Sequence, residues 1–232
     1  MNLSKRLKAV ADFVTRGNSV ADVGTDHGYI PVYLAVNRIS SRLIAMDVNK
    51  GPLSRACENI SAYGVEEVVE TRLSDGLSGL KPSEVQTVVI AGMGGLLIMR
   101  ILSDNMEVVH ETEELILSPH SDVEQVRNFL ADKGIPITDE RIVKDDGKFY
   151  FIIKAAPKER ERYNLTECEA KFGGMLLERR DDVLKEYLSN ELRKKKIILD
   201  RLMSQAASNT ERMDEIKHDI DIIGKGLDMY EG

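Results

Sequence analysis

Between residues 19 and 156 the sequence keeps changing its hydrophobic period. The runs SVADV (19–23), RLIAMD (42–47), VVETRL (68–73), TVVIAG (87–92) and ELILSP (114–119) are short, aliphatic or β-branched, and closed by a nearby Gly, Asp or Pro, as strands are. Between them, PVYLAVNRI (31–39), GPLSRACENISAYG (51–64), GGLLIMRILSD (94–104) and DVEQVRNFLADKG (122–134) space their apolar residues near 3.6 and end near Gly or Asn. Such alternation specifies an α/β fold, a mostly parallel sheet with helices on both faces. PITDERIVKDDGKFYFIIKA (136–155) instead alternates with period two on both sides of Asp146-Gly147, a hairpin turn signal. The sheet is therefore expected to finish in an antiparallel pair.

Beyond residue 156 no strand run appears. PKERERYN (157–164) reads as a polar connector. Met213, Ile216, Ile220, Ile223, Leu227 and Tyr230 follow one another at steps of three and four, a heptad seam. Leu184, Leu188, Leu192, Leu199, Leu202 and Ala206 form a less regular partner stripe. SQAASNTE (204–211) reads as the turn between them, with Asn209-Thr210 opening the second helix. The expected division is an α/β domain over 1–156 and a helical coiled-coil domain over 157–232. The stripe closes either within one chain or between two.

In a parallel sheet, ligands lie beyond the carboxyl ends of the strands. The loop Gly24-Thr25-Asp26-His27-Gly28 stands there, after the first strand. A nucleoside triphosphate loop requires a Lys after its last glycine, and none follows Gly28. A dinucleotide loop requires a middle glycine, which the Gly24-x-x-x-Gly28 spacing lacks, and Asp22 and Asp26 would repel phosphate. An acidic loop suits a ligand that carries a sulfonium and an ammonium, as S-adenosylmethionine does. Asp47, with Val48 beside it, closes the second strand, where a carboxylate can accept both ribose hydroxyls. Asp75 with Gly76 follows the third strand, where a carboxylate can accept the adenine amino group. The structural alternative is that each Asp is a turn residue or helix cap.

Several classes are disfavoured. No stretch approaches the roughly 18 apolar residues that span a bilayer. MNLSKRLKAVADFV lacks the apolar core and cleavage site of a signal peptide. Cys57 and Cys168 show neither metal spacing nor a disulfide framework, so no metal is expected and a reducing cytoplasm is the simplest setting. A net charge of −7 argues against indiscriminate nucleic-acid binding. Two local basic clusters remain, Lys5, Arg6 and Lys8 (with Arg16 further on) and Arg193, Lys194, Lys195 and Lys196. Each is either a solvated helix face or a set of phosphate contacts.

The fourth strand ends in AGMGG (91–95). The Asn- or Asp-Pro-Pro-aromatic motif used to methylate exocyclic amines is absent, and neither cysteine stands beside a proline at a strand end, as C5 methylation would need. A ring nitrogen, an oxygen or a small molecule is left as the methyl acceptor. Gly92, Gly94 and Gly95 would let a flat base lie on backbone, or would simply make a tight strand-to-helix turn.

SKRLKAVADFV, VADVGTDHGYIPVYLA, AMDVNKGPL, SDGL, VVIAGMGGLLI and LILSPHSDVEQVRNFL, followed by a charged helical tail, closely resemble the bacterial TrmK family. These are tRNA (adenine-22-N1)-methyltransferases, and the resemblance covers essentially the whole chain. It implies a class I Rossmann-like methyltransferase domain with a C-terminal coiled coil. It also implies tRNA as partner, methylation of a D-arm adenine, and S-adenosylhomocysteine as released product. Carried over by position, Asp22, Gly24, Thr25 and Gly28 shape the methionine end of the cofactor pocket. Asp47 and Val48 hold the ribose, Asp75 and Gly76 the adenine, and Gly92 and Met93 line the side facing the acceptor. Thr25 stands where similar sequences often have Ser, keeping the hydroxyl.

Adenine N1 has an in-plane lone pair, so positioning supplies most of such a reaction. Asp26 is then the residue for balancing the cationic product or accepting from N6, His27 a base or donor, and Tyr29 a stacking partner for an extruded adenine. Their structural alternatives are a helix cap for Asp26, a cap or packing residue for His27, and packing on the N-terminal helix for Tyr29. Other functions in competition are methylation of another RNA base, a small molecule or a protein with the coiled coil as dimeriser, and a non-enzymatic relic. The intact set of Asp22, Gly24, Gly28, Asp47 and Asp75 speaks against the relic. No obligate protein partner is evident.

Overall fold

The computed structural model describes residues 1–158, 162–204 and 210–231. They divide into two compact units, Met1–Asn164 and Leu165–Gly232. The stretch just beyond residue 161 belongs to the first unit because of Tyr163. Its hydroxyl accepts the Ile137 N–H at 3.3 Å and donates to the Ile135 carbonyl at 3.1 Å.

The first unit is a seven-stranded sheet in the order β3-β2-β1-β4-β5-β7-β6. Its strands are β1 (Val20–Val23), β2 (Leu43–Asp47), β3 (Val69–Leu73), β4 (Thr87–Ala91), β5 (Glu114–Ser118), β6 (Ile137–Asp145) and β7 (Lys148–Ala155). β1 to β5 are parallel, and β7 runs antiparallel to both β5 and β6. Asp146 and Gly147, at φ 47° and 74°, make the two-residue hairpin turn that joins β6 to β7. Each expected strand lies within a residue of its observed bounds.

The central strands read as continuous apolar runs because both faces are covered. Ala21, Val23, Ile44, Met46, Val88, Ile90, Leu115 and Leu117 face α4 (Gly95–Ser103), α5 (Met106–His110) and α6 (Val123–Asp132). Val20, Leu43, Ala45, Val89 and Ile116 face α1 (Lys5–Ala11), α2 (Tyr29–Val36) and α3 (Lys50–Ala62). At the N-terminal edge of β5, Glu114 ties three elements together. Its carboxylate accepts from Thr15 N–H at 2.9 Å and from the Thr15 and Thr87 hydroxyls, both at 2.7 Å, and pairs with Lys154 Nζ at 2.6 Å. A second buried pair, Arg127 Nε to Glu140 Oε1 at 2.7 Å, joins α6 to β6.

The second unit is helical: α7 (Glu167–Phe172), α8 (Gly174–Glu178), α9 (Asp182–Ser204) and α10 (Thr210–Asp228). The seam residues Ile216 and Ile223 are buried, while Met213, Ile220, Leu227 and Tyr230 are half-buried. On the partner stripe Leu184 and Leu188 are buried, and Leu192, Leu199 and Leu202 half-buried. Burial on α10 widens to Ile222 and Gly226, because α7 as well as α9 packs on it. A side chain on Gly226 would stand 3.3 Å from Leu188 and 3.4 Å from Phe172. The sequence-based turn at 204–211, with Ala206 and Asn209, lies largely outside the described residues. Among the described residues no helix is long and apolar enough to cross a membrane.

Candidate active site

The loop after β1 is fixed by its own backbone. The N–H groups of Gly24 and Thr25 both donate to the Met46 carbonyl of β2, each at 2.8 Å. Gly24, His27 and Gly28 take positive φ (74°, 62° and 65°), and Gly28 is the N-cap of α2. Space is tight at two of these places as well: a Cβ on Gly24 would displace the end of the Met93 side chain, and one on Gly28 would lie 3.2 Å from Ala56 on α3. The Asn59 side-chain amide donates to the His27 carbonyl at 2.7 Å and pins the loop to α3.

Asp22, at the centre of this arrangement, is buried. Burial, reinforced by the nearby Asp47 carboxylate, raises its carboxyl from 3.8 to about 6, against the opposing effect of Thr25. A buried acid beside a second acid is a site that a cationic ligand would relieve.

Asp26 does not cap α2, whose N-cap Gly28 has no side-chain bond. Its carboxylate instead takes Arg55 Nη2 from α3 at 2.9 Å and lies 3.6 Å from His27 Nε2. His27 stacks on Tyr29, rings 5.2 Å apart and 9° from parallel. Tyr29 is 40% exposed and lines a cleft with Arg6 and Leu7 of α1. Asp47 accepts the Asn49 N–H at 2.7 Å, and Val48 beside it is exposed.

A cleft of about 330 Å³ is lined by Arg6, Asp22, Gly24, Asp26, Tyr29, Gly92 and His120, among others. The structure thus gathers the loop after β1 and the turn after β4 around one space. Met93 lies over Gly24 at its edge. Asp75 and Gly76 line a separate hollow of about 180 Å³ with Ser78, Arg100 and Asn105. Gly76 fits there because a Cβ would meet Ile101 at 3.0 Å. Sequence reasoning missed Arg55 and His120, and it read Arg6 as either a solvated charge or a phosphate contact, without placing it in this cleft. His120 stands two residues past β5, but nothing in its own sequence neighbourhood marked it for this cleft.

The basic clusters are only partly outward. Lys5 is exposed, and Lys8 is exposed but paired with Asp12 at 2.8 Å. On α9, Arg193 contacts Asn190 at 3.0 Å and Lys194 contacts Glu191 at 2.7 Å. Lys195 is half-buried, with its ammonium 2.6 Å from Asp219 of α10, while Lys196 is exposed. The run is therefore not one uniform cationic face. Among the described residues no cluster of His, Cys, Asp and Glu could hold a metal ion.

A parallel sheet of this order with a reversed β7, and acids and glycines at the carboxyl ends of β1 to β3, defines a class I methyltransferase. In agreement, a methyltransferase-domain family model matches residues 3–153. The chain is 31% identical over 220 residues to the tRNA (adenine(22)-N(1))-methyltransferase of Bacillus subtilis, covering 94% of this chain and 92% of that one. Among solved structures, the B. subtilis m1A22 tRNA methyltransferase TrmK superposes with a TM-score of 0.86 at 29% identity, covering 97% of this chain and 99% of that one. M. capricolum TrmK, in complex with S-adenosyl-homocysteine, superposes with a TM-score of 0.84 at 28% identity, with 98% of each chain covered. The chain belongs to the TrmK family of tRNA (adenine(22)-N(1))-methyltransferases.

Proposed function

We propose that this protein transfers the methyl group of S-adenosylmethionine to N1 of adenine 22 in tRNA. The buried Asp22 carboxyl carries the reading: it faces a cleft bounded by Gly24 and Gly92, in a chain whose relatives include tRNA (adenine(22)-N(1))-methyltransferases. When bound, the cofactor supplies an electrophilic methyl on a sulfonium. Asp22 balances its positive end, with Gly24, Thr25 and Gly28 giving close backbone approach. Asp47 accepts from the ribose and Val48 covers the adenine face. Asp75 and Gly76, although they line a separate hollow, are the proposed partners of the adenine edge by their place after β3, while Gly92 and Met93 border the acceptor.

N1 of a neutral adenine already holds a free lone pair, so no side chain has to take a proton from it. The residues position the base, exclude water and balance the charge it acquires. Asp26, aligned by Arg55, is suited to that charge or to the N6 amino group. The His27–Tyr29 stack offers an extruded adenine an aromatic face. Lys5, Arg6 and Lys8, with Arg193, Lys194 and Lys196, are the proposed contacts to tRNA phosphates, which position without specifying.

The test is incubation of the purified protein with methyl-labelled cofactor and bacterial tRNA, followed by nucleoside analysis. Label in 1-methyladenosine supports the proposal. Label in another nucleoside, or none in RNA, rejects it.

A further inference from the structure

The cleft is lined by two sets of residues of opposite character. One is the loop with Asp22 and Asp26. The other is built from Arg6 on α1 and His120 beyond β5, both set against Tyr150 on β7. Arg6 Cζ stands 5.4 Å from the centre of the Tyr150 ring, and the His120 ring lies 5.7 Å from it, tilted by 57°. Arg6 and His120 converge on Gly92, where a Cβ would stand 3.5 Å from Arg6 Nη1 and 3.8 Å from the imidazole. Backbone bonds fix both residues: Arg6 N–H donates to Asp145 at 3.0 Å, and His120 N–H donates to the Met93 carbonyl at 2.8 Å.

The Arg6 guanidinium makes no ion pair among the described residues, and its Nη1 is buried there without a hydrogen-bond partner. A shielded cationic donor lacking an acceptor is costly. The anion a guanidinium fork matches best, besides carboxylate, is phosphate. A nucleotide acceptor brings a phosphate, and the other charged residues lining the cleft, Asp22 and Asp26, are acidic. Acidic and cationic residues thus share one cleft, and their charges suit different reactants.

We propose that Arg6, Tyr150 and His120 form the seat for the phosphate of the nucleotide being methylated. In this seat the guanidinium takes the phosphate oxygens, Tyr150 holds its plane, and His120 stands beside the anion as a neutral donor. The proposal rests on the nucleotide-methylating reading above and adds which part of the acceptor these residues receive. Burial first, then the Arg6 and Lys148 charges, lower the His120 imidazole below its usual value. Asp22 and Asp26 line the same cleft, and Asp145 accepts the Arg6 backbone N–H. An anion seated on Arg6 reverses the local field, so His120 reports occupancy.

The experiment follows the His120 ring protons by NMR, assigned with His120→Asn, while the full-length protein is titrated with adenosine 5′-monophosphate, adenosine or inorganic phosphate. The monophosphate is expected to move the His120 midpoint upward and adenosine to leave it in place. Phosphate alone is expected to reproduce the shift at higher concentration. Arg6→Gln abolishes the shift, and Arg6→Lys keeps part of it. In tRNA methylation, Arg6→Gln raises KM for tRNA about tenfold, lowers the slope of log affinity against log salt by about one, and leaves cofactor affinity unchanged. Equal shifts with adenosine and its monophosphate, or a loss confined to kcat with KM for tRNA unchanged, overturn the proposal. A wild-type protein that methylates no tRNA refutes the functional reading, while the monophosphate titration still decides whether the seat exists.

Discussion

Replacing Asp22 with Asn is expected to make the ligand-free protein more stable while disabling it. Burial, helped by the Asp47 charge, raises the Asp22 carboxyl from 3.8 to about 6 in the folded state. The folded chain therefore holds this proton more tightly than the unfolded chain, and ionisation opposes folding. Stability falls as pH rises from 3.8 to about 6, and above that the whole penalty is present. Converted at 1.36 kcal/mol for each pH unit, that rise costs roughly 3 kcal/mol. Asn keeps the shape and removes the charge, so D22N should gain up to roughly 3 kcal/mol at neutral pH, the usual trade of activity for stability. Urea unfolding over this pH range, read as the midpoint at constant m, measures it. Calorimetry supplies the second half. Wild-type affinity for the cationic cofactor follows the ionised fraction of Asp22 and falls about tenfold from pH 7 to pH 5, whereas D22N binds weakly at every pH. A destabilised D22N at pH 7, or a variant whose stability keeps the wild-type slope over the same range, refutes the reasoning.

Arg55→Ala removes an ion pair whose Asp26 side chain is 68% exposed, so thermal unfolding should move by less than about 1 kcal/mol while kcat falls about tenfold as Asp26 loses its alignment; a large stability loss with normal kcat contradicts this. Gly24→Ala places a methyl on Met93 at positive φ and should abolish cofactor uptake by calorimetry. Adding Met93→Ala should recover part of the stability, and no recovery would mean that the backbone strain dominates. Glu114→Gln should cost about 2–3 kcal/mol near neutral pH. Despite burial, Lys154 and the bonds from Thr15 and Thr87 hold the Glu114 carboxyl below its usual value, so its ionised form favours folding. That contribution is present above the unfolded-state value and lost as pH falls through the folded one, so the variant's deficit should shrink in acid-unfolding curves. Neutralising Arg193, Lys194 and Lys196 together should weaken tRNA binding and flatten its salt dependence, whereas Lys195 substitution should lower stability through Asp219; unchanged affinity across a salt series removes α9 as an RNA contact.

The sheet was legible because burial on both faces leaves strands such as Leu43–Asp47 and Glu114–Ser118 uniformly apolar, and because Asp146-Gly147 can make only a tight turn. Five-residue helices such as α5 and α8 carry too little periodicity to be read. The start of α7 did carry its mark, since Thr166 and Glu169 form a capping box. In the site, acids and glycines at successive strand ends were readable from spacing alone. Arg55, His120 and Tyr150 were not, because each matters through a partner far away in sequence. Arg55 reaches Asp26 across α3, and His120 meets Gly92 only because β5 pairs with β4. Arg6 was readable as a candidate phosphate contact, but its place against Tyr150 was not.

Reverse transcription of a tRNA transcript after reaction with the protein and S-adenosylmethionine tests the central claim most directly. A methyl on N1 blocks base pairing, so extension should stop immediately 3′ of adenine 22, and a transcript with guanine at that position should read through unmodified. Stops elsewhere, or full-length products from the adenine transcript under saturating cofactor, would contradict the account.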